Sequence, residues 1–183
     1  GLCSEAVEAL ISRANLSRQS IGYLCVITQT PDYCLPHTSA LVHANLGLPK
    51  ECVAFDINLG CSGYVYGLAI SRAFMELEQI PVGVLITVDA YSRIIDPADR
   101  ATAPLFGDGA TATLIEENGP IRIGMTTFST DGSNHQALIA RGSGSNLERR
   151  APLFMDGRAI FSFMMREVPK SVCECLKKND LLK

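Results

Sequence analysis

The stretch FDINLGCSGYVYGLAIS, residues 55–71, contains the end of a strand, a sharp turn and the start of a helix. A strand is predicted over 53–58, and a long helix over 62–79, because the apolar pattern changes between them. Strand-like and helix-like segments alternate on both sides of this stretch. The other predicted helices cover 4–15, 37–46 and 158–178, and the other predicted strands cover 21–28, 82–90, 111–117 and 121–128. This alternation predicts an α/β fold, a mixed sheet with helices on both faces.

A turn signal and a polar stretch follow the predicted strand 111–117. Asn118-Gly119 separates the last two predicted strands and is a strong hairpin signal. The stretch 129–156 is polar, rich in Gly and Ser, and without clear periodicity. The chain begins directly in a predicted helix and ends just after one, which indicates a piece of a larger protein.

Composition excludes several classes of function. The net charge is −3 and no tract is rich in Lys or Arg, which argues against nucleic acid as the main partner. No apolar run reaches the ~18 residues of a membrane-spanning helix. The seven cysteines include no C-x-x-C pair, and the three histidines are scattered, so no metal site is predicted. These features favour a reduced, cytoplasmic protein.

Cys61 lies between Gly60 and Gly63 in the turn before the long helix. A helix that begins here places unpaired N–H groups and the positive end of its dipole beside the sulfur. This environment favours the nucleophilic thiolate. The alternative is a small core residue, since free cysteines are usually buried and inert. The G-C-S-G pattern alone favours the core interpretation.

Four separated motifs change this balance. They are A-F-D-I-N-x-x-C-S-G at 54–63, D-P-A-D-R with F-G-D-G-A within 96–110, T-Q-T-P-D-Y-C-L-P-H-T at 28–38, and M-D-G-R-A-I-F-S-F at 155–163. In their order along the chain they resemble the β-ketoacyl-acyl carrier protein (ACP) synthase III family of the thiolase superfamily. The resemblance covers nearly the whole chain and implies a thiolase-like fold. Residues 1–150 would form its N-terminal half, incomplete at the start, and 151–183 would begin the C-terminal half.

The resemblance also implies roles for four residues. Cys61 matches the cysteine that takes the acyl group from acyl-CoA as a thioester. Arg100 matches an arginine at the CoA-binding mouth, Phe106 a phenylalanine beside the nucleophile, and Leu35 a residue that reaches across a dimer to the partner's acyl pocket. Two of these have a simpler interpretation. An arginine in an acidic loop commonly forms an ion pair with a nearby carboxylate, and Phe106 is equally consistent with an ordinary residue of the hydrophobic core.

The implied activity is that of an acyltransferase that initiates fatty-acid or polyketide synthesis. An acyl-CoA starter would acylate Cys61, and malonyl-ACP would then condense with loss of carbon dioxide, without a cofactor. ACP is thus the implied protein partner, and a homodimer the implied assembly. The family's H-Q-A-N and G-N-T segments do not occur in this sequence, so this chain is expected not to be fully active. The alternatives are a non-catalytic thiolase-fold partner or acyl-binding subunit, and an α/β domain with a structural cysteine.

Overall fold

The chain forms two compact units in a computed structural model that describes residues 1–141 and 152–182. The first unit comprises Gly1–Ala90 and Asp108–Ile123, and the second comprises Tyr91–Gly107 and Gly124–Lys183. The helices are α1 Leu2–Ala14, α2 Thr38–Leu46, α3 Gly63–Glu78 and α4 Gly157–Lys178. The strands are β1 Tyr23–Ile27, β2 Val53–Ile57, β3 Val82–Asp89, β4 Gly109–Glu116, β5 Leu138–Ala140 and β6 Leu153–Met155.

A four-stranded mixed sheet in the order β2-β1-β3-β4 organises the first unit. Strand β1 runs parallel to β2 and β3, with Cys25 opposite both Phe55 and Leu85. Strand β4 runs antiparallel to β3. Every residue of β1 is buried, as expected for an apolar strand covered on both faces.

The two faces of this sheet are covered by different helices. Leu24 and Val26 point to the face where they form a core with residues of α1 and α2. The alternate β1 residues form the opposite core, where Met75 of α3 packs. The predicted α/β class, a mixed sheet with helices on both faces, is confirmed.

Two glycines allow α3 to approach the sheet closely. A β-carbon on Gly63 would lie 2.5 Å from Cγ2 of Ile27, and one on Gly67 would lie 2.5 Å from Cδ1 of the same residue. Gly67 also faces Leu85, whose Cδ1 would be 2.9 Å from the added carbon. Gly63 and Gly67 therefore have a packing function.

The second unit contains a small antiparallel pair, β5 and β6, and the helix α4. Asp156 caps this helix, because its carboxylate accepts the N–H of Ala159 at 3.0 Å. Several apolar side chains of α4 are exposed, among them Phe161 and Met165. No helix within the described residues is long and apolar enough to cross a membrane.

The structure corrects the prediction for the end of the first unit. Residues 121–128 were predicted as a strand joined to β4 through a hairpin at Asn118-Gly119. A turn does form, with the N–H of Gly119 3.4 Å from the carbonyl oxygen of Glu116. Residues 121–128 nevertheless form neither helix nor strand, and no described strand pairs with them. The stretch 129–156 contains β5 and β6, and the predicted half boundary at 150/151 lies outside the described residues.

Asp56 on β2 stabilises the start of α2. Its carboxylate accepts the N–H of Thr38 at 2.6 Å and that of Ser39 at 2.8 Å. We expect Asp56→Ala to lower the free energy of unfolding by about 1–2 kcal/mol, because two donors at a helix N-terminus lose a charged acceptor. Urea denaturation measures this change. The control is Glu51→Ala, which removes an exposed carboxylate; equal losses in both variants would contradict the capping role.

Candidate functional site

Cys61 lies in the turn between the end of β2 at Ile57 and the start of α3 at Gly63. The turn is closed by a 2.8 Å hydrogen bond from the N–H of Gly63 to the carbonyl oxygen of Gly60. Ser62 occupies the capping position of α3 but makes no side-chain capping hydrogen bond. The Cys61 side chain is exposed. An accessible thiol thus stands one residue before the cap of a 16-residue helix, where the helix dipole is positive.

The other cysteines differ sharply in their surroundings. All seven lie in the described part of the chain, and none forms a disulfide. Burial raises the pKa of Cys3, Cys25 and Cys52 to about 11 each. Those three thiols remain protonated near neutral pH and cannot act as nucleophiles there. Cys34, Cys61 and Cys173 are exposed, and of these only Cys61 adjoins the start of a helix.

Leu35, the predicted dimer-crossing residue, lies in the loop between β1 and α2 in the first unit. Its side chain is 87% exposed, and the neighbouring Tyr33 is 60% exposed. Apolar side chains in such a position gain nothing from this chain's own core. Their placement suits a contact with another surface.

Arg100 and Phe106 belong to the second unit, whereas Cys61 and Leu35 belong to the first. The Arg100 side chain is exposed. Neighbouring Asp99 instead accepts the N–H groups of Ala101 at 2.9 Å and Thr102 at 3.1 Å. The Thr102 hydroxyl and these N–H groups lower the pKa of Asp99. An ion pair between Arg100 and an acidic residue of its own loop was the simpler interpretation, but none is found among the described ion pairs. The turn that carries Arg100 is fixed by Asp99.

Phe106 is half-buried and stacks on Tyr91. The ring centroids are 4.7 Å apart and the planes differ by 8°. This parallel contact holds the Phe106 ring in one orientation, since aromatic pairs add stability beyond the burial of their area.

Two histidines make structural contacts. His37 caps α2, with its Nδ1 2.7 Å from the Ser39 hydroxyl, and His43 Nε2 lies 2.8 Å from the carbonyl oxygen of Pro49. His135 is exposed, with Nδ1 3.3 Å from the carbonyl oxygen of Gly132. Across residues 1–141 and 152–182, no three His, Cys, Asp or Glu side chains are grouped to hold a metal ion.

This chain is similar to known proteins in both sequence and fold. The family model for 3-oxoacyl-[acyl-carrier-protein] synthase III matches residues 55–132, which include the Cys61 turn. β-Ketoacyl-[acyl-carrier-protein] synthase III of Streptococcus mutans is 34% identical over 98% of this chain. The same enzyme of Lactococcus lactis is 36% identical over 98% of it. The chain is related to the β-ketoacyl-ACP synthase III family. It spans 57% of the length of both relatives.

Solved structures of synthase III enzymes confirm the thiolase-like fold. The enzyme of Pseudomonas aeruginosa superimposes with a TM-score of 0.86 at 30% identity, over 98% of this chain and 55% of the other. The enzyme of Thermus thermophilus gives a TM-score of 0.85 at 33% identity, over 99% of this chain and 57% of the other. The resemblance to synthase III inferred from the four motifs is confirmed.

Sequence reasoning did not foresee that the start of the motif at 28–38 is bonded to Asp89. Thr28, Gln29 and Thr30 follow β1, and Asp89 ends the neighbouring strand β3. Their side chains and N–H groups form a dense network around the Asp89 carboxylate. The available signal was the position of polar residues at the carboxyl ends of two adjacent parallel strands, where α/β proteins place their ligands.

Proposed function

We propose that the protein containing this chain is an acyltransferase that condenses an acyl-CoA starter with malonyl-ACP and so initiates fatty-acid or polyketide synthesis. The observation that carries the proposal is the exposed Cys61 thiol before the start of α3. It stands within the part of the chain that the synthase III family model matches.

Cys61 performs covalent catalysis in this reaction. Its thiolate attacks the carbonyl carbon of acyl-CoA, a new C–S bond forms, and the bond to CoA breaks with release of the CoA thiolate, which takes a proton from water. Malonyl-ACP then loses carbon dioxide, and the resulting enolate carbon attacks the acyl-Cys61 carbonyl. A C–C bond forms and the Cys61 thiolate leaves. Acyl-CoA and malonyl-ACP are the substrates, and no cofactor takes part.

The other three site residues bind substrate. The exposed guanidinium of Arg100 offers a planar, charged surface for the adenine and phosphates of CoA. Phe106, whose ring stacks on Tyr91, is proposed for the acyl pocket because it matches the family's phenylalanine beside the nucleophile. Leu35, which is 87% exposed, completes the acyl pocket of a partner subunit.

Condensation also needs groups that this sequence does not contain. The histidine and asparagine of the H-Q-A-N and G-N-T segments would bind the thioester oxygen and stabilise the enolate. This chain spans 57% of the length of its relatives, and we place those segments in the remaining part of the full-length protein. Activity by the 183-residue chain alone is expected to be low.

The assembly we propose is a cytoplasmic homodimer. Strand β2 lies at the edge of the described sheet, where its only described partner strand is β1. An open edge is a template for pairing with another strand. Pairing of β2 with its copy would continue the sheet across a two-fold axis and bring the exposed Leu35 loop to the partner.

Acyl transfer from labelled acetyl-CoA to the full-length protein tests the proposed function. We expect mass-spectrometric mapping to find the acetyl group on Cys61, and Cys61→Ala to lower condensation about 10³-fold or more. Cys34→Ala is the matched control, because Cys34 is also exposed but lies in the loop between β1 and α2, three residues before the α2 cap His37. Full condensation by Cys61→Ala would refute the proposal, and binding of acetyl-CoA without transfer would favour the acyl-binding subunit.

A further inference from the structure

One carboxylate oxygen joins the ends of β1 and β3. Asp89 Oδ1 accepts the N–H groups of Gln29 at 2.7 Å and Thr30 at 3.1 Å. It also accepts the hydroxyls of Thr30 at 3.1 Å and Thr28 at 3.2 Å. The Thr30 hydroxyl in turn accepts the N–H of Ala90 at 2.8 Å. Bonds to an ionised acceptor are the stronger kind, so the segment 28–30 is held firmly.

The residue at the centre of this segment lies against the nucleophile turn. A β-carbon built on Gly60 would overlap Oε1 of Gln29 and lie 3.1 Å from its Cδ. Two residues earlier, Ile27 contacts the positions of Gly63 and Gly67 in the same way. The end of β1 therefore contacts the residues on either side of Cys61: Gln29 packs against Gly60, and Ile27 packs against Gly63.

We infer that Asp89 is a positioning residue for Cys61: it holds residues 28–30 so that the Gln29 amide fixes the Gly60 turn and hence the thiol at the start of α3. The catalytic meaning of this role rests on the proposed function. The positioning of Cys61 by Asp89 does not rest on the proposed function, because it is measured by the reactivity of the Cys61 thiol itself.

The direction of the effect follows from exposure and charge. Cys61 is already exposed, so a looser turn gives a reagent little additional access, but it weakens the alignment of the sulfur with the helix dipole. Removal of a carboxylate takes away negative charge, and loss of negative charge does not disfavour a thiolate. A slower reaction after removal of Asp89 therefore reports lost geometry and not lost charge.

Competitive alkylation measures this role in the full-length protein. Limiting iodoacetamide near neutral pH is followed by peptide mapping, and the rate at Cys61 is divided by the rate at the exposed Cys173. We expect Asp89→Ala to lower this ratio about threefold, as expected for loss of a helix-dipole interaction. Asp89→Asn keeps the accepting oxygen, so it should keep the ratio at or above that of the wild type.

Gln29→Ala decides the matter should Asp89→Ala fail to fold, since it truncates an exposed side chain and should lower the ratio as well. Glu51→Ala is the control for loss of an exposed carboxylate. A ratio unchanged in folded Asp89→Ala and in Gln29→Ala would overturn the inference, whatever their stability to urea. Acetyl transfer to wild-type Cys61 tests the proposed function separately, so the two can fail independently.

Discussion

Leu85→Ala is expected to lower the free energy of unfolding by about 3–5 kcal/mol, the range typical of a large cavity in a well-packed core. Leu85 is fully buried on β3. Its Cδ atoms lie against Gly67, so the side chain fills the space that the absent β-carbon leaves between α3 and the sheet. Backbone packing on the other side of this space limits collapse of the cavity. Urea denaturation of the full-length protein measures the loss.

Leu77→Ala is the matched control for this prediction. Leu77 lies on the same helix α3 that covers Leu85, but its side chain is 77% exposed. Truncation there should change the free energy of unfolding by less than about 0.5 kcal/mol. Comparable losses for the two leucines would mean that α3 does not pack on the sheet through the Gly67 face.

The regular elements of the first unit could be predicted because their signals are local. The apolar run IGYLCVIT predicted β1, and the structure has Tyr23–Ile27 within it. The periodic segment 62–79 predicted α3, which runs from Gly63 to Glu78. Such patterns report which side chains must be buried, and in these segments tertiary contacts agree with the local preference.

The segment 121–128 shows where a local pattern fails. Its alternation of apolar and polar residues suits a strand, yet a strand needs a neighbour to satisfy its N–H and C=O groups. No described strand pairs with it. Asn179 binds part of this segment instead: its side chain accepts the N–H of Met125 at 2.8 Å and donates to the carbonyl oxygen of Met125 at 2.7 Å. The missed strands β5 and β6 have three residues each, too few for periodicity to show.

The candidate site was likewise predictable only in part. Gly60 and Gly63 marked the strand–helix turn at Cys61, but this local pattern alone favoured a core cysteine, and only the four motifs together made Cys61 a candidate nucleophile. The Asp89 network joins residues 28–30 with residue 89, which are distant in sequence. Their contact depends on β1 and β3 being neighbours in the sheet, a fact of topology that no local pattern specifies.

Iodoacetamide near neutral pH is expected to separate the exposed from the buried cysteines by about a hundredfold or more in rate, because buried sites react only through opening of the structure. Cys61 should react first. Cys34, in the loop before α2, and Cys173, within α4, are also exposed and should follow. Cys3, Cys25 and Cys52 should react last, since burial both shields these thiols and raises the pKa of each to about 11.

The pH dependence of this labelling separates accessibility from ionisation. Burial raises the pKa of Cys3, Cys25 and Cys52 from the usual 9.0 to about 11, so between these values the unfolded chain loses protons that the folded chain keeps. The stability contributed by the three neutral thiols is therefore complete below pH 9.0 and is lost as the pH rises toward about 11. Their labelling should rise together with alkaline unfolding followed by circular dichroism, whereas labelling of Cys61 should be rapid well below that range. Should Cys61 react no faster than Cys25 in the folded protein, Cys61 would be an inert thiol despite its exposure, and the acyl-transfer role would lose its physical basis.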